Sequence, residues 1–292
     1  MHAESLSWLV EFDALHPDKI ERLRDQRIGW LAGYTSPRLD ASGLRLANDW
    51  IMWLFALDDG YCDESTHGKD PGYMARMVGG LSCILDNPNS PAPRAGRCAE
   101  ALRDVRLRVA ERASRPQLHR WTCAVRDYLF GVVWEAANRQ YGQVPQIHDY
   151  IAMREHASGI HTLFNALDLN GGYEVPTPLW HHLDLIRLRR LAGYLVAWDN
   201  DLYSYRKELA DMGAMNNMIT VLAHHHDISL EQAVEKLTDR HNKAVDEFGA
   251  VQERFQAAHP HPSVRIYIDN LETWVSGNIA FSFESTRYVQ DM

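Results

Sequence analysis

The chain has 292 residues, 46% hydrophobic and 24% charged, a globular composition with apolar material to spare for a core around a cavity. Its net charge of −9 argues against a nucleic-acid binder, and no uninterrupted apolar run approaches the roughly 20 residues needed to span a bilayer. Cys62, Cys83, Cys98 and Cys123 lack both CxxC and disulfide-dense spacing and read as reduced thiols of a cytoplasmic protein, while a start carrying Glu4 and Glu11 does not read as a signal peptide.

Helical periodicity dominates from end to end, and strand-like alternation is nearly absent. Residues 17–33 read as one amphipathic helix, opened by Pro17 and closed near Gly33. A loop with Pro37 and Gly43 leads to an apolar helix from about Leu44, hydrophobic on nearly every side and therefore central. The segment Asn87 to Pro93 is a surface loop by its turn residues, too short for a domain linker. Helices follow over about 97–114 and 117–139, then one from about Asp149 that passes through Arg154 to a break at Ser158-Gly159. Gly171-Gly172 and Pro176 to Pro178 make a turn, and 180–211 read as one or two long helices. Ser229 to Gln232 form a capping box for a helix through about Ala257. Pro260 and Pro262 separate it from a last helix over about 263–287. About ten helices without strands, repeats or linker predict a single all-α domain.

Two polar clusters carry the chemistry. Asp58-Asp59 and Asp63-Glu64 follow the run Trp53-Leu54-Phe55-Ala56-Leu57, and carboxylates so placed are costly unless paired; a bound cation is the natural partner. Asn200, Ser204 and Glu208 fall at i, i+4 and i+8, so a helix lines up an amide, a hydroxyl and a carboxylate on one stripe. Such hard oxygens suit Mg²⁺ rather than zinc or copper, and the Cys62 thiol is too soft to join them. The competing readings are a solvated helix end for the first cluster and a polar surface stripe for the second. Asp199 and Asp201 read as flanking residues that face away from that stripe. His224, His225 and His226 sit before Asp227 at a helix end, without a second ligand cluster, and read as an exposed turn.

In combination and in order, these motifs resemble the bacterial class I terpene synthases. The family's aspartate-rich motif is matched by Asp58, Asp59 and Asp63, and its Asn-x-x-x-Ser-x-x-x-Glu triad by Asn200, Ser204 and Glu208. Arg154 stands where the family has a diphosphate-sensing arginine, Lys207 immediately precedes the triad glutamate, and Arg287-Tyr288 match an Arg-Tyr pair. The resemblance implies an all-α bundle or barrel over residues 1–292 with a central cavity, and Mg²⁺, expected as three ions, held by the two motifs. Arg154, Lys207, Arg287 and Tyr288 are then expected to hold a substrate diphosphate. The implied reaction is cyclisation of an acyclic prenyl diphosphate to a hydrocarbon or alcohol. Farnesyl diphosphate is the first expectation, geranylgeranyl diphosphate the alternative, with geranyl diphosphate behind it. A chain-elongating prenyltransferase would carry a second aspartate-rich run instead, and a non-catalytic helical scaffold would not be expected to keep every motif residue. A homodimer is the implied assembly, with neither nucleic acid nor membrane insertion.

The cavity itself should be dry and lined by aromatic faces that stabilise positive charge. Phe55 lies one turn before Asp58 and should face the same side. Phe281 stands where the family usually has tryptophan, and Asn278 one turn earlier could hold a water. Ser158 falls in the family's helix-break region, while Ala157 replaces a polar linker residue many relatives carry, which puts the arginine-to-carbonyl relay in question. For each aromatic, ordinary core packing is the alternative.

Overall fold

The structure, a computed structural model, describes residues 1–62, 66–91, 95–211 and 214–288. Fifteen α-helices are assigned among them: α1 His2–Glu11, α2 Pro17–Asp25, α3 Leu31–Thr35, α4 Ala41–Leu57, α5 Pro71–Asp86, α6 Cys98–Arg112, α7 Arg115–Tyr141, α8 Ile147–Ala157, α9 Ile160–Phe164, α10 Leu167–Asn170, α11 Thr177–Trp180, α12 Leu183–Asp211, α13 Met218–His226, α14 Leu230–Ala258 and α15 Pro262–Glu284. No strand occurs among the described residues. Helix α12 packs against α8, α14 and α15, and α7 against α5 and α8. Buried residues from Leu6 to Phe281 join in one core cluster.

Local chemistry explains most boundaries. Ser229 and Gln232 form the expected capping box at the start of α14, and Ser114 and Gln117 form a further one at the start of α7. Helix α4 starts at Ala41, ahead of the expected Leu44, because the Asp40 carboxylate caps it by accepting the Gly43 N–H at 2.6 Å. Buried on nearly every side, α4 is central. Trp50 stacks on Trp53 at 4.8 Å and meets Trp121 edge-on at 5.0 Å. Both α4 indoles satisfy their N–H groups, Trp50 on Thr162 Oγ1 and Trp53 on the Cys98 carbonyl, each at 2.8 Å.

Two expected helices are corrected. The span 17–33 is not one helix: it breaks after Asp25, Arg27 adopts left-handed backbone (φ 55°), a 3-10 turn covers Ile28–Trp30, and α3 runs past Gly33. The last helix ends at Glu284 rather than at 287. One cause serves both. Carbonyls freed at the end of α2 receive the Ser285 hydroxyl (on Gln26, 2.8 Å) and the Thr286 hydroxyl (on Asp25, 3.1 Å), so the turn after α15 is tied to the break after α2. The three histidines close the last turn of α13, with His224 and His226 exposed as expected; His225 alone is half-buried, its Nε2 meeting the Pro145 carbonyl at 2.8 Å.

At Gly131 on α7, a Cβ would lie 2.7 Å from the backbone of Ala157, so the glycine is what lets α7 press against the end of α8. We expect Gly131→Ala to destabilise the fold by about 1–3 kcal/mol through overpacking. Gly79→Ala, in the exposed interior of α5 with nothing within 4 Å, should instead stabilise by about 0.5–1 kcal/mol. Denaturant midpoints of the two variants check the contrast.

Candidate active site

A cavity opens between α4, α7, α8, α12 and α15. Leu31, Ile51, Leu54, Leu163, Val196 and Trp274 supply apolar wall; Asp58, Arg154, Asn200, Ser204, Lys207, Glu208, Arg287 and Tyr288 also line it. Every motif residue expected there is therefore on the cavity except Asp59, which is buried beside it, and Asp63, which lies outside the described residues.

The first cluster sits where α4 widens into a π-helical turn, Asp58–Cys62. Asp58 is half-buried on the cavity, whereas Asp59 is 1% exposed and paired with Arg287 through two bonds of 2.9 and 3.1 Å. The same guanidinium lies 3.7 Å from Asp58 Oδ2, stacks over the Phe55 ring at 4.7 Å and donates to Gln26 Oε1 at 2.9 Å. Burial would push the Asp59 carboxyl up, but Arg287 and Lys207 hold it below the usual carboxylate range. Burial likewise opposes charge on Arg287, and Asp59 more than compensates. The C-terminal turn thus clasps the acidic turn, and both hang on the helix break at Gln26.

On α12, the stripe forms as the spacing predicts. Ser204 donates to the Asn200 carbonyl at 2.7 Å and is also bonded to Glu208 Oε1, and Glu208 Oε2 accepts from Asn217 Nδ2 at 3.1 Å. Asn200 holds two other site residues: its Oδ1 accepts from Arg154 at 2.8 Å, and its Nδ2 donates to the Tyr288 hydroxyl at 3.2 Å.

Arg154 is fixed by a residue that the sequence had left as a flank. Asp201 does point away from the stripe, but into the protein, where it is fully buried and lies 2.8 Å from Arg154 Nη2 and 3.0 Å from its Nε. Its other oxygen accepts from the Tyr150 hydroxyl at 2.6 Å and the Met218 N–H at 3.2 Å. Burial pushes the Asp201 carboxyl up and these four donors oppose that; the same carboxylate keeps Arg154 above the ordinary guanidinium range against its own burial. Asp199, on the other side of Asn200, pairs with His241 of α14 at 3.1 Å.

Helix α8 ends at Ala157 with Ser158 as its C-cap, and Gly159 takes left-handed backbone (φ 69°) that restarts the chain as α9. Ala157 and Ser158 both line the cavity at this break. On the facing wall a correction is needed. Phe281 is 2% exposed, packs 6.4 Å from the Tyr34 ring and is not on the cavity; Trp274 and Asn278 are. The reason is backbone proximity: a Cβ on Gly277 would meet the Tyr34 carbonyl at 2.3 Å, so α15 leans on α3 there and buries Phe281 in that seam. Glu135 and Arg139 of α7, ion-paired at 3.2 Å, and Asn216 also line the cavity without having been singled out. Glu135 and Arg139 carried a signal, an i, i+4 charge pair on a helix rich in aromatics, as did Asn216-Asn217 just before an apolar run, where Asn217 caps α13.

The oxygens fit a hard divalent cation. Among the described residues no group of three His, Cys, Asp or Glu side chains forms a closed metal cage. Instead Asp58 lines the cavity from the turn after α4, and the mixed amide, hydroxyl and carboxylate set lines it from α12. That sparse, open set is the kind Mg²⁺ accepts, since it binds through one or two carboxylates and completes its shell with water and substrate phosphate.

Residues 49–247 match the family described as terpene synthase family 2, C-terminal metal binding. The chain belongs to this family. It is 34% identical to the 4-epi-cubebol synthase of Streptosporangium roseum, a farnesyl diphosphate cyclizing enzyme, over 98% of this chain and 86% of that one. It is 33% identical to the (+)-T-muurolol synthase of Roseiflexus castenholzii, also farnesyl diphosphate cyclizing, over 97% and 87%. Among solved structures, wild-type cucumene synthase superposes with a TM-score of 0.84 at 25% identity, covering 97% of this chain and 95% of that one. This terpene synthase is therefore an all-α class I enzyme of a metal-binding family. No helix among its described residues is long and apolar enough to cross a membrane.

Proposed function

We propose that this terpene synthase ionises farnesyl diphosphate with the aid of Mg²⁺, expected as three ions, and cyclises the resulting carbocation, the whole described chain acting as one catalytic domain. The observation that carries the reading is the polarity of the cavity: cationic and metal-binding types of side chain gather beside Asp58 and the α12 stripe, and the remaining wall is apolar. The farnesyl chain length is supported by the relatives that cyclise farnesyl diphosphate across nearly the full chain.

Asp58, Asn200, Ser204 and Glu208, with Asp59 and Asp63, would hold the cations. Bound Mg²⁺ supplies positive charge to the leaving diphosphate oxygens. Arg154, Lys207 and Arg287 share that task as charge-assisted donors, with the Tyr288 hydroxyl adding a neutral bond. The allylic C–O bond breaks, its electron pair leaves with diphosphate, and the cation closes a ring against an apolar wall. Burial raises the Tyr288 hydroxyl above the ordinary phenol range, against Arg287, so it stays a neutral donor. Arg287 is committed to Asp59 in this structure, so engaging a diphosphate requires it to share or exchange that partner.

Incubation with geranyl, farnesyl and geranylgeranyl diphosphates and Mg²⁺, followed by mass spectrometry, tests the proposal. A cyclic C15 product is expected. A C20 product alone would replace the substrate, and a longer prenyl diphosphate formed with added isopentenyl diphosphate would replace the reaction.

The corrected wall gives a second expectation. Trp274→Leu should shift the product distribution by roughly 5- to 30-fold between early- and late-quenched species, because a desolvated cation–π contact is worth about 1–2 kcal/mol. Phe281→Leu should cost about 1–2 kcal/mol of stability and leave the product profile unchanged. Gas chromatography of the two extracts separates cavity wall from core.

A further inference from the structure

Asn278 is 7% exposed, lines the cavity, and its Nδ2 has no hydrogen-bond partner. A buried amide N–H left unpaired costs free energy, and such groups mark sites where a polar ligand or water is held. No packing role explains it: on α15 the Ser282 hydroxyl bonds the Asn278 backbone carbonyl at 2.8 Å, not its amide. Trp274 sits four residues earlier, so its indole occupies the same stripe about one turn, or roughly 6 Å, away. A cation stabilised by the Trp274 face would lie next to whatever Asn278 holds. Arg139 Nη1 is also buried on this cavity, but its guanidinium is charged and paired with Glu135, and a fixed positive charge repels a carbocation where a neutral amide does not.

We propose that Asn278 holds the water molecule that quenches the last carbocation, so that this enzyme releases a terpene alcohol; the inference rests on the cyclase reading above. Asn278 Nδ2 donates to the water oxygen and leaves its second lone pair for the cation. That lone pair forms the C–O bond, and the oxonium gives a proton to the diphosphate already released. Water and cation are consumed, and alcohol and protonated diphosphate are formed.

The test runs farnesyl diphosphate and Mg²⁺ in ¹⁸O-enriched water with the intact enzyme, reading organic products by mass spectrometry and diphosphate separately. The wild type should give mainly an oxygenated product that carries the label. Asn278→Leu, close in size, should reduce the alcohol fraction by about tenfold in favour of hydrocarbons while diphosphate release persists, since one water-positioning bond is lost. Asn278→Ser, which keeps a polar hydrogen, should retain labelled alcohol at a fraction well above that of the leucine variant. A wild type that makes only hydrocarbon, or an Asn278→Leu enzyme whose labelled alcohol fraction is unchanged, overturns the proposal. Failure of the cyclase reading itself shows differently, as no diphosphate release by the wild type.

Discussion

Glu208→Gln should lower prenyl diphosphate turnover by roughly 10²- to 10⁴-fold, because a metal-assisted leaving group draws several kcal/mol of transition-state stabilisation from the site. Glu208 is placed for this by both its oxygens: Oε1 is bonded to Ser204, and Oε2 accepts from Asn217 at 3.1 Å. The amide keeps the shape and loses the charge, so the fold should persist while metal affinity falls. Asp58→Asn should act in the same direction from the turn after α4, and chelation with EDTA should silence the wild type until Mg²⁺ is restored. Steady-state kinetics against Mg²⁺ concentration make the comparison. Undiminished turnover in the chelated enzyme would remove the metal-assisted mechanism, and undiminished turnover in both variants would remove these residues from it.

Asp201→Asn should be the most destabilising single change near the site, by about 3–5 kcal/mol, because it strands the buried Arg154 charge. Asp201 is fully buried and meets Arg154, the Tyr150 hydroxyl and the Met218 N–H, and asparagine can offer them neither the charge nor a second acceptor oxygen. A melting temperature lower by roughly 10 °C is expected. Asp201→Asn combined with Arg154→Met should cost less than the two single changes added, since the double variant leaves no orphaned charge. Strict additivity in that cycle would show that the pair does not act as a unit. Arg154 also reaches Asn200 at 2.8 Å, so the variant should disturb the stripe as well as the fold, raising KM for the diphosphate along with the loss of stability.

What the sequence determined by itself was whatever local period and spacing can encode. Helix type, the capping boxes at Ser114 and Ser229, the break at Gly159 and the stripe Asn200, Ser204, Glu208 follow from rules that reach only a few residues along the chain. The membership of the family was legible for the same reason: its motifs are short and keep their spacing. Tertiary structure decided the rest. The break in residues 17–33 and the early end of α15 are one event, hydroxyls of Ser285 and Thr286 meeting carbonyls of α2, between segments about 260 residues apart. Asp201 could not be told from Asp199 by spacing, since both neighbour Asn200, and only the packing of α8 and α14 on α12 gives the first a buried arginine and the second His241. Phe281 and Trp274 lie on one face of α15, yet the close approach of Gly277 to Tyr34 buries the first and leaves the second on the cavity. Hydrogen bonds and contacts that cross between helices depend on interaxial distance and rotation, which no local pattern specifies.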